Sequence, residues 1–259
     1  MSALVLTADQ INSWVALIMW PLFRIAALLS ILPALGGSEV PVRVRAGLAV
    51  LITILVVPAL PAMPEIDPLS ADSLLITAQQ IMIGVAMGLI VLLAFNAVTL
   101  AGESIAITMG LGFALMNDPQ NGVQVPTVSQ FYLILATLLF LSFNGHHQVL
   151  LLMASSFTLL PIGQPLGPDA IWSLVSWGSK IFVGALAIAL PALASMLTVN
   201  LIMGVITRAA PQLNLFSVGF PITMTVGFAA IMLTLPTFQF SFEGLLAQAQ
   251  AAIVEMLSF

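Results

Sequence analysis

The sequence predicts an all-α integral membrane protein, and three observations predict it. Hydrophobic residues fill 61% of the 259 positions and charged residues only 6%, with a mean hydropathy of +1.17. Such a chain cannot cover a soluble globule with polar surface. Charge-free runs at residues 46–64, 73–102, 181–207 and 209–242 reach or exceed the roughly 20 residues that cross hydrocarbon as a helix. These runs also lack the polar–apolar alternation of barrel strands.

Apolar runs punctuated by Gly, Pro and charge place about six long apolar helices at residues 14–35, 46–63, 74–100, 131–152, 171–200 and 213–235, with a shorter C-terminal segment after Glu243. Turn-forming residues fill the connectors at 36–41, 61–68, 117–122 and 163–169. No linker marks a soluble domain, so residues 1–259 are expected to form a single membrane-embedded helical unit. Arg43 and Arg45 follow the first span and Arg208 the fifth. Basic loops prefer the cytoplasm, so these positions support six crossings with the N-terminus outside. A split or re-entrant helix would change that parity.

Several function classes fall away on residue content. A net charge of -5 and the lack of any basic tract leave nothing to grip nucleic acid. The absence of cysteine removes disulfides, thiolate chemistry and cysteine-based metal sites. No Lys or Arg precedes Trp14, so the first apolar stretch lacks the positive flank of a cleavable signal and is expected to remain in the mature protein. His146-His147 supplies two ligands where a metal needs three or four, and reads as a plain loop pair. Lys180 is followed by Ile181, so there is no phosphate-cradling Gly-Lys-Ser/Thr loop. No Gly-x-Ser-x-Gly elbow offers a nucleophile. No catalytic group, metal or cofactor is expected, and Glu103 and Asp118 are the only acids near the irregular segment, with nothing basic placed to tune them.

Two segments break the apolar pattern. The first runs Met109-Gly110-Leu111-Gly112-Phe113-Ala114-Leu115-Met116-Asn117-Asp118-Pro119. Each glycine lowers helix propensity by about 1 kcal/mol relative to Ala, and Pro119 biases Asp118 away from the helical region. Irregular backbone at membrane depth survives only when buried in protein or lining water. The segment is therefore read as a gate or plug, against the alternative of a greasy surface loop. Flexible Met109 and Met116 with bulky Phe113 suit a deformable seal, whereas a catalytic loop would want fixed polar groups. The second segment carries Arg208, Pro211, Gln212, Asn214, Phe216, Gly219, Phe220 and Pro221. It reads as a tight helix connection, with Asn214 able to cap a terminus and Pro221 suited to a first helical turn.

Isolated features inside the apolar runs have structural readings first. Gly84 and Gly88 form a GxxxG pair, and Ala185 and Ala189 repeat the spacing. Close packing within the chain is favoured over an oligomer contact. Three charges fall within or beside apolar runs: Arg24, Glu103 and Lys180. Arg24 at bilayer depth would cost about 2.5–3.5 kcal/mol on insertion scales and needs a partner or a wet surface. Glu103 is a candidate partner. Lys180, in its helix near Trp172 and Trp177, reads as an interfacial anchor.

Taken in order, Ala101-Gly102-Glu103, Gly110-Leu111-Gly112-Phe113, Asp118-Pro119, Arg208, Pro211-Gln212-Leu213-Asn214 and Val218-Gly219-Phe220-Pro221 resemble the FliR family of flagellar export proteins. Arg24, Pro33, Pro41, Arg43 and Pro58 extend the resemblance over essentially the whole chain. It implies one copy of this chain in the export gate of the flagellar type III secretion system, in the bacterial inner membrane at the flagellar basal body. There it would join P and Q subunits and other membrane components in a hetero-oligomeric channel, bounded by lipid, that passes unfolded flagellar proteins as cargo. By the same resemblance residues 1–170 are P-subunit-like, residues 171–259 form a Q-like helical hairpin, and the loop matching 109–122 plugs the closed channel. Family assemblies also sit largely above the bilayer plane, which would overturn a simple six-span topology. The competing reading from residues alone is an autonomous secondary transporter of a small solute, motivated by Arg24, Lys180 and the interrupted helices.

Overall fold

A computed structural model describes residues 8–37, 40–61, 70–111, 127–210 and 219–259, with side chains from Trp14 onward. Every regular element among the described residues is helical. They are α1 (Ala8–Ile31), α2 (Val42–Val56) closed by a 3-10 turn (Val57–Ala59), α3 (Ala71–Thr108), α4 (Thr127–Ser142), α5 (Gly145–Leu159), α6 (Pro168–Trp177), α7 (Lys180–Ala209) and α8 (Phe220–Ser258). Among the described residues, five runs are long and apolar enough to cross a membrane, or six if the bent pair α4 and α5 is one span. The all-helical membrane class and the number of long apolar helices agree with the sequence reading.

Several boundaries shift from expectation, α3 for instance running eight residues past 100, and four differences bear on the reading. The expected helix at 131–152 breaks at Asn144, whose φ of 55° puts it in the left-handed region, a conformation Asn and Gly tolerate and other residues resist. The expected helix at 171–200 is interrupted at Gly178-Ser179, so Lys180 starts α7 instead of lying three turns inside a helix. The segment after Glu243 is not separate: α8 runs through it for 39 residues, with Pro236 in its interior. Arg43 and Arg45 lie in the first turn of α2, not in the preceding loop. At 1.5 Å per residue the 38 residues of α3 and 39 of α8 span about 57 Å, nearly twice the hydrocarbon thickness of roughly 30 Å. Neither is a simple perpendicular span.

The chain groups into two compact units. One comprises Met1–Leu92, Asn144–Gly178 and Gln248–Phe259; the other comprises Leu93–Phe143 and Ser179–Ala247. In the first, α1 packs on the N-terminal half of α3 through Gly84 and Gly88. A Cβ at 84 would collide with the Arg24 carbonyl and lie 2.9 Å from Ala27 Cβ, and one at 88 would meet Ile31 Cβ at 3.0 Å. The GxxxG pair thus serves contact within the chain, where missing side chains let two backbones approach. Trp177 is buried and its indole N–H donates to the Ile90 carbonyl at 3.2 Å, so it is an interior residue. The Gln250 amide donates to the Gln148 side chain, tying the end of α8 to α5.

In the second unit the core is aromatic. Phe95 meets Phe140 and Phe242 edge-on at 5.5 and 5.4 Å between ring centroids, and Tyr132 meets Phe238 at 5.1 Å. Such edge-to-face pairs contribute roughly 0.5–1.5 kcal/mol each beyond the area they bury. Small residues close the remaining gaps: a Cβ at Gly102 would stand 2.5 Å from Ser129 Cα, and one at Gly184 would stand 3.0 Å from Leu245 and 3.2 Å from Ala97. Ala185 and Ala189, at 3% and 1% exposure, share this packed face of α7.

Replacing Gly84 by Val should force α1 off α3, because the obstacle is backbone that cannot rotate away; overpacking of this kind costs about 1–3 kcal/mol or more. The expected result is a lower melting temperature in detergent, with Gly47→Val, where a Cβ meets open space, as the tolerated control. Equal melting temperatures for the two variants would refute the contact.

Candidate functional site

Where α3 ends, the chain uses a glycine-terminated helix cap. Gly110 has φ of 85°, its N–H donates to the Ile107 carbonyl at 3.0 Å, and the Leu111 N–H donates to the Ala106 carbonyl at 3.0 Å. This pair of bonds across a left-handed glycine is a Schellman motif, which satisfies carbonyls that a helix end would otherwise leave open. Gly110 therefore stops the helix and fixes the exit direction, which its low helix propensity in the sequence already suggested in part.

Met109, the last residue before that glycine, is fully buried. Its side chain occupies the space over Gly227 in α8: a Cβ built at 227 would stand 2.5 Å from Met109 Cγ, 2.7 Å from Cε and 2.8 Å from Sδ. Its carbonyl accepts a hydrogen bond from Thr223 Oγ1 at 3.3 Å. Thr223 lies two residues beyond Pro221, which occupies the first turn of α8 as its residue type suggests, after buried Gly219 and half-exposed Phe220. The root of the first irregular segment thus meets the exit of the second. Gly112, Phe113, Leu115, Met116, Asn117, Asp118 and Pro119 of the gate prediction lie outside the described residues, as do Pro211, Asn214 and Phe216 of the connection. Arg208 is exposed in the last turn of α7, where a cation complements the helix dipole.

The residues that seat Met109 were not singled out from sequence. Thr223 and Gly227 are small residues four apart, the same small-xxx-small signal that marked Gly84 and Gly88. That spacing was the available clue.

Arg24 is the second polar feature at depth. It is fully buried, and its guanidinium donates to Gln80 Oε1 at 2.7 Å, to the Ser156 carbonyl and hydroxyl at 3.0 and 3.1 Å, and to the Leu160 carbonyl at 3.0 Å. It also lies over the Phe157 ring, 4.4 Å from the centroid. None of these partners is Glu103, which is half-buried further along α3. The correction has a physical reason: the carbonyls of Ser156 and Leu160 close the C-terminal end of α5, where peptide dipoles present partial negative charge. Hydrogen bonds from a charged donor contribute about 1.5–3 kcal/mol each, so four at the low end exceed an insertion cost of about 2.5–3.5 kcal/mol without a carboxylate. Gln80 belongs to the same stripe of α3 as Gly84 and Gly88, one turn before them.

His146 and His147 stack at 4.1 Å between ring centroids near the start of α5. Among the described residues no group of three His, Asp or Glu side chains comes together as a metal site would require.

Comparison with known proteins decides what kind of chain this is. Residues 15–249 match the family described as bacterial export proteins, family 1. The chain belongs to the FliR family. It is 43% identical to the flagellar biosynthetic protein FliR of Escherichia coli strain K12, over 89% of this chain and 88% of that protein. It is 45% identical to FliR of Pectobacterium carotovorum over 88% and 87%, and 30% identical to FliR of Bacillus subtilis over 81% and 82%. The match runs through the helices that carry Arg24, Met109 and Gly227, so both polar features belong to the part of the chain that is FliR-like.

Removing the Arg24 side chain should leave Gln80 Oε1 and the Leu160 carbonyl without their donor, while the Ser156 carbonyl keeps the Leu160 N–H. Arg24→Met is expected to cost about 3 kcal/mol or more, since each orphaned acceptor costs roughly 1–3 kcal/mol. Arg24→Lys should fall between it and the parent, because a point ammonium cannot reproduce the planar fork. Thermal unfolding of detergent-solubilised protein gives the ranking, and a parental melting temperature for Arg24→Met would remove the assigned role.

Proposed function

We propose that this chain is the subunit of the flagellar export gate that stops the closed channel with the segment following α3. It is a component of the flagellar protein-export apparatus and a multi-pass protein of the bacterial inner membrane, as its family and its long apolar helices establish. On the proposed reading it assembles as one copy with P-like and Q-like subunits. Residues 1–170 supply the P-like part and residues 171–259 the Q-like hairpin, and unfolded flagellar proteins pass through the channel.

The observation that carries the plug assignment is the terminus of α3. Its carbonyls are closed by the Gly110 motif and Met109, the residue just past the helix, is held by α8, so the chain that follows leaves from a fixed, protein-buried point. Irregular backbone at membrane depth needs such a setting. Composition adds the seal: Leu111, Phe113, Leu115 and Met116 are bulky or pliable and uncharged, as an obstruction to water and ions requires. The two basic groups that motivate a solute transporter have structural settings. Arg24 is committed to four hydrogen bonds and Lys180 stands at the first residue of α7.

Deleting residues 112–116 tests this reading. The shortened chain should still co-purify with its companion subunits, while the membranes that hold it become permeable to small ions. Unchanged conductance with normal assembly would remove the plug, and purification of a stable lone chain that carries a solute would remove the export gate.

A further inference from the structure

We infer that Thr223 and Gly227 are positioning residues of the export gate, acting through Met109 to set where the chain departs from α3 and to transmit movement of α8 to that point. The inference rests on the plug reading above and adds what controls it.

The seat is specific in shape. Met109 is fully buried, and its thioether fits only because position 227 has no side chain: all three of its outer atoms lie within 2.8 Å of where a Cβ would be. Contacts that short do not occur between real carbon atoms, so any residue but glycine must displace Met109 or push α8 away. The seat also fixes depth. The Met109 carbonyl lies beyond the last regular bond of α3, and Thr223 supplies its hydrogen-bond donor at 3.3 Å. One turn separates Thr223 from Gly227, so both face Met109 from a single stripe of α8. Because the Gly110 motif locks the next two residues onto α3, a shift of the Met109 backbone carries the exit point with it.

The same hydroxyl makes the seat releasable. Thr223 Oγ1 lies 3.0 Å from the Phe220 carbonyl in its own helix as well as 3.3 Å from the Met109 carbonyl. A hydroxyl has one proton and can donate to one of these at full strength. When Met109 moves, the proton turns to Phe220 and Thr223 keeps a partner, so opening leaves no orphaned hydroxyl on α8. A permanent weld would use two independent donors. Thr223 also sits in the first turn of α8, so strain on the connection that leads into α8 reaches Met109 within one residue contact.

The experiment uses the full chain assembled with its companion subunits in membranes, and reads ion conductance together with the amount of assembled chain. Gly227→Val should assemble at the parental level and raise conductance several-fold. Adding Met109→Ala, which removes the atoms that collide, should return conductance most of the way toward the parent. Thr223→Val should raise it less, since the side chain keeps its shape and loses only the donor, whereas Thr223→Ser should match the parent. If Gly227→Val fails to accumulate, Gly227→Ala and Thr223→Val decide by the same readout. Parental conductance in the 227 and 223 variants, while deletion of 112–116 leaks, would overturn the seat and leave the plug standing. A Gly227→Val leak that Met109→Ala does not relieve would overturn it too. Parental conductance in the deletion itself would overturn the plug, and the seat with it.

Discussion

Hydrocarbon offers no hydrogen bond, and that constraint organises this molecule. Each place where the chain stops being a regular helix must find partners for its peptide groups inside the protein. The end of α3 shows the solution at its most economical. Gly110 turns left-handed, two N–H groups fold back onto Ile107 and Ala106, and Thr223 covers the carbonyl of Met109. The end of α5 solves the same problem with charge, since Arg24 donates to the Ser156 and Leu160 carbonyls. In both cases a residue from a distant part of the sequence completes a helix terminus, so the terminus and the tertiary contact form together.

That common logic explains why a full positive charge can be kept in an apolar interior without an acid beside it. A carboxylate partner would itself have to be desolvated, and the combined penalty often exceeds the attraction gained. Backbone carbonyls at a helix end are already present, already oriented, and need a donor in any case. Arg24 meets that need, and Gln80 and the face of Phe157 complete its surroundings. The charge and the open helix end are each costly alone and offset each other together. The close approach at Gly84 supports this arrangement, since it brings α1 and α3 near enough for Gln80 to reach the guanidinium.

Helix content, and the approximate place of each long helix, were legible because charge-free length and Gly or Pro punctuation act locally. The breaks were less legible. Asn144-Gly145 and Gly178-Ser179 are short signals inside apolar runs, and only the left-handed φ at Asn144 separates a break from a tolerated irregularity. Pro236 sent the opposite message: it suggested an end where α8 continues, because neighbouring helices can re-satisfy the freed carbonyl. The end of α3 falls just before Gly110, where the sequence lowers helix propensity, yet the function of that glycine as a helix stop depends on its φ, which residue type alone does not give. The partner of Arg24 was missed for a similar reason. Sequence search looks for an opposite charge such as Glu103, whereas the real partners are two backbone carbonyls, which have no letter of their own, and the uncharged side chains of Gln80 and Ser156.

Small residues in this molecule meet two kinds of neighbour, and the difference bears on motion. At Gly84 and Gly102 the facing atoms are backbone, which can retreat only if whole helices separate. At Gly227 the facing atoms are the end of a methionine side chain, which has three rotatable bonds and a soft, polarisable sulfur. The first kind of contact sets a rigid spacing. The second allows a seated residue to leave and return without disturbing the helix that receives it. A gate needs both properties, a frame that does not yield and one joint that does. Met109, just past the end of α3, is held against Gly227 by its flexible end.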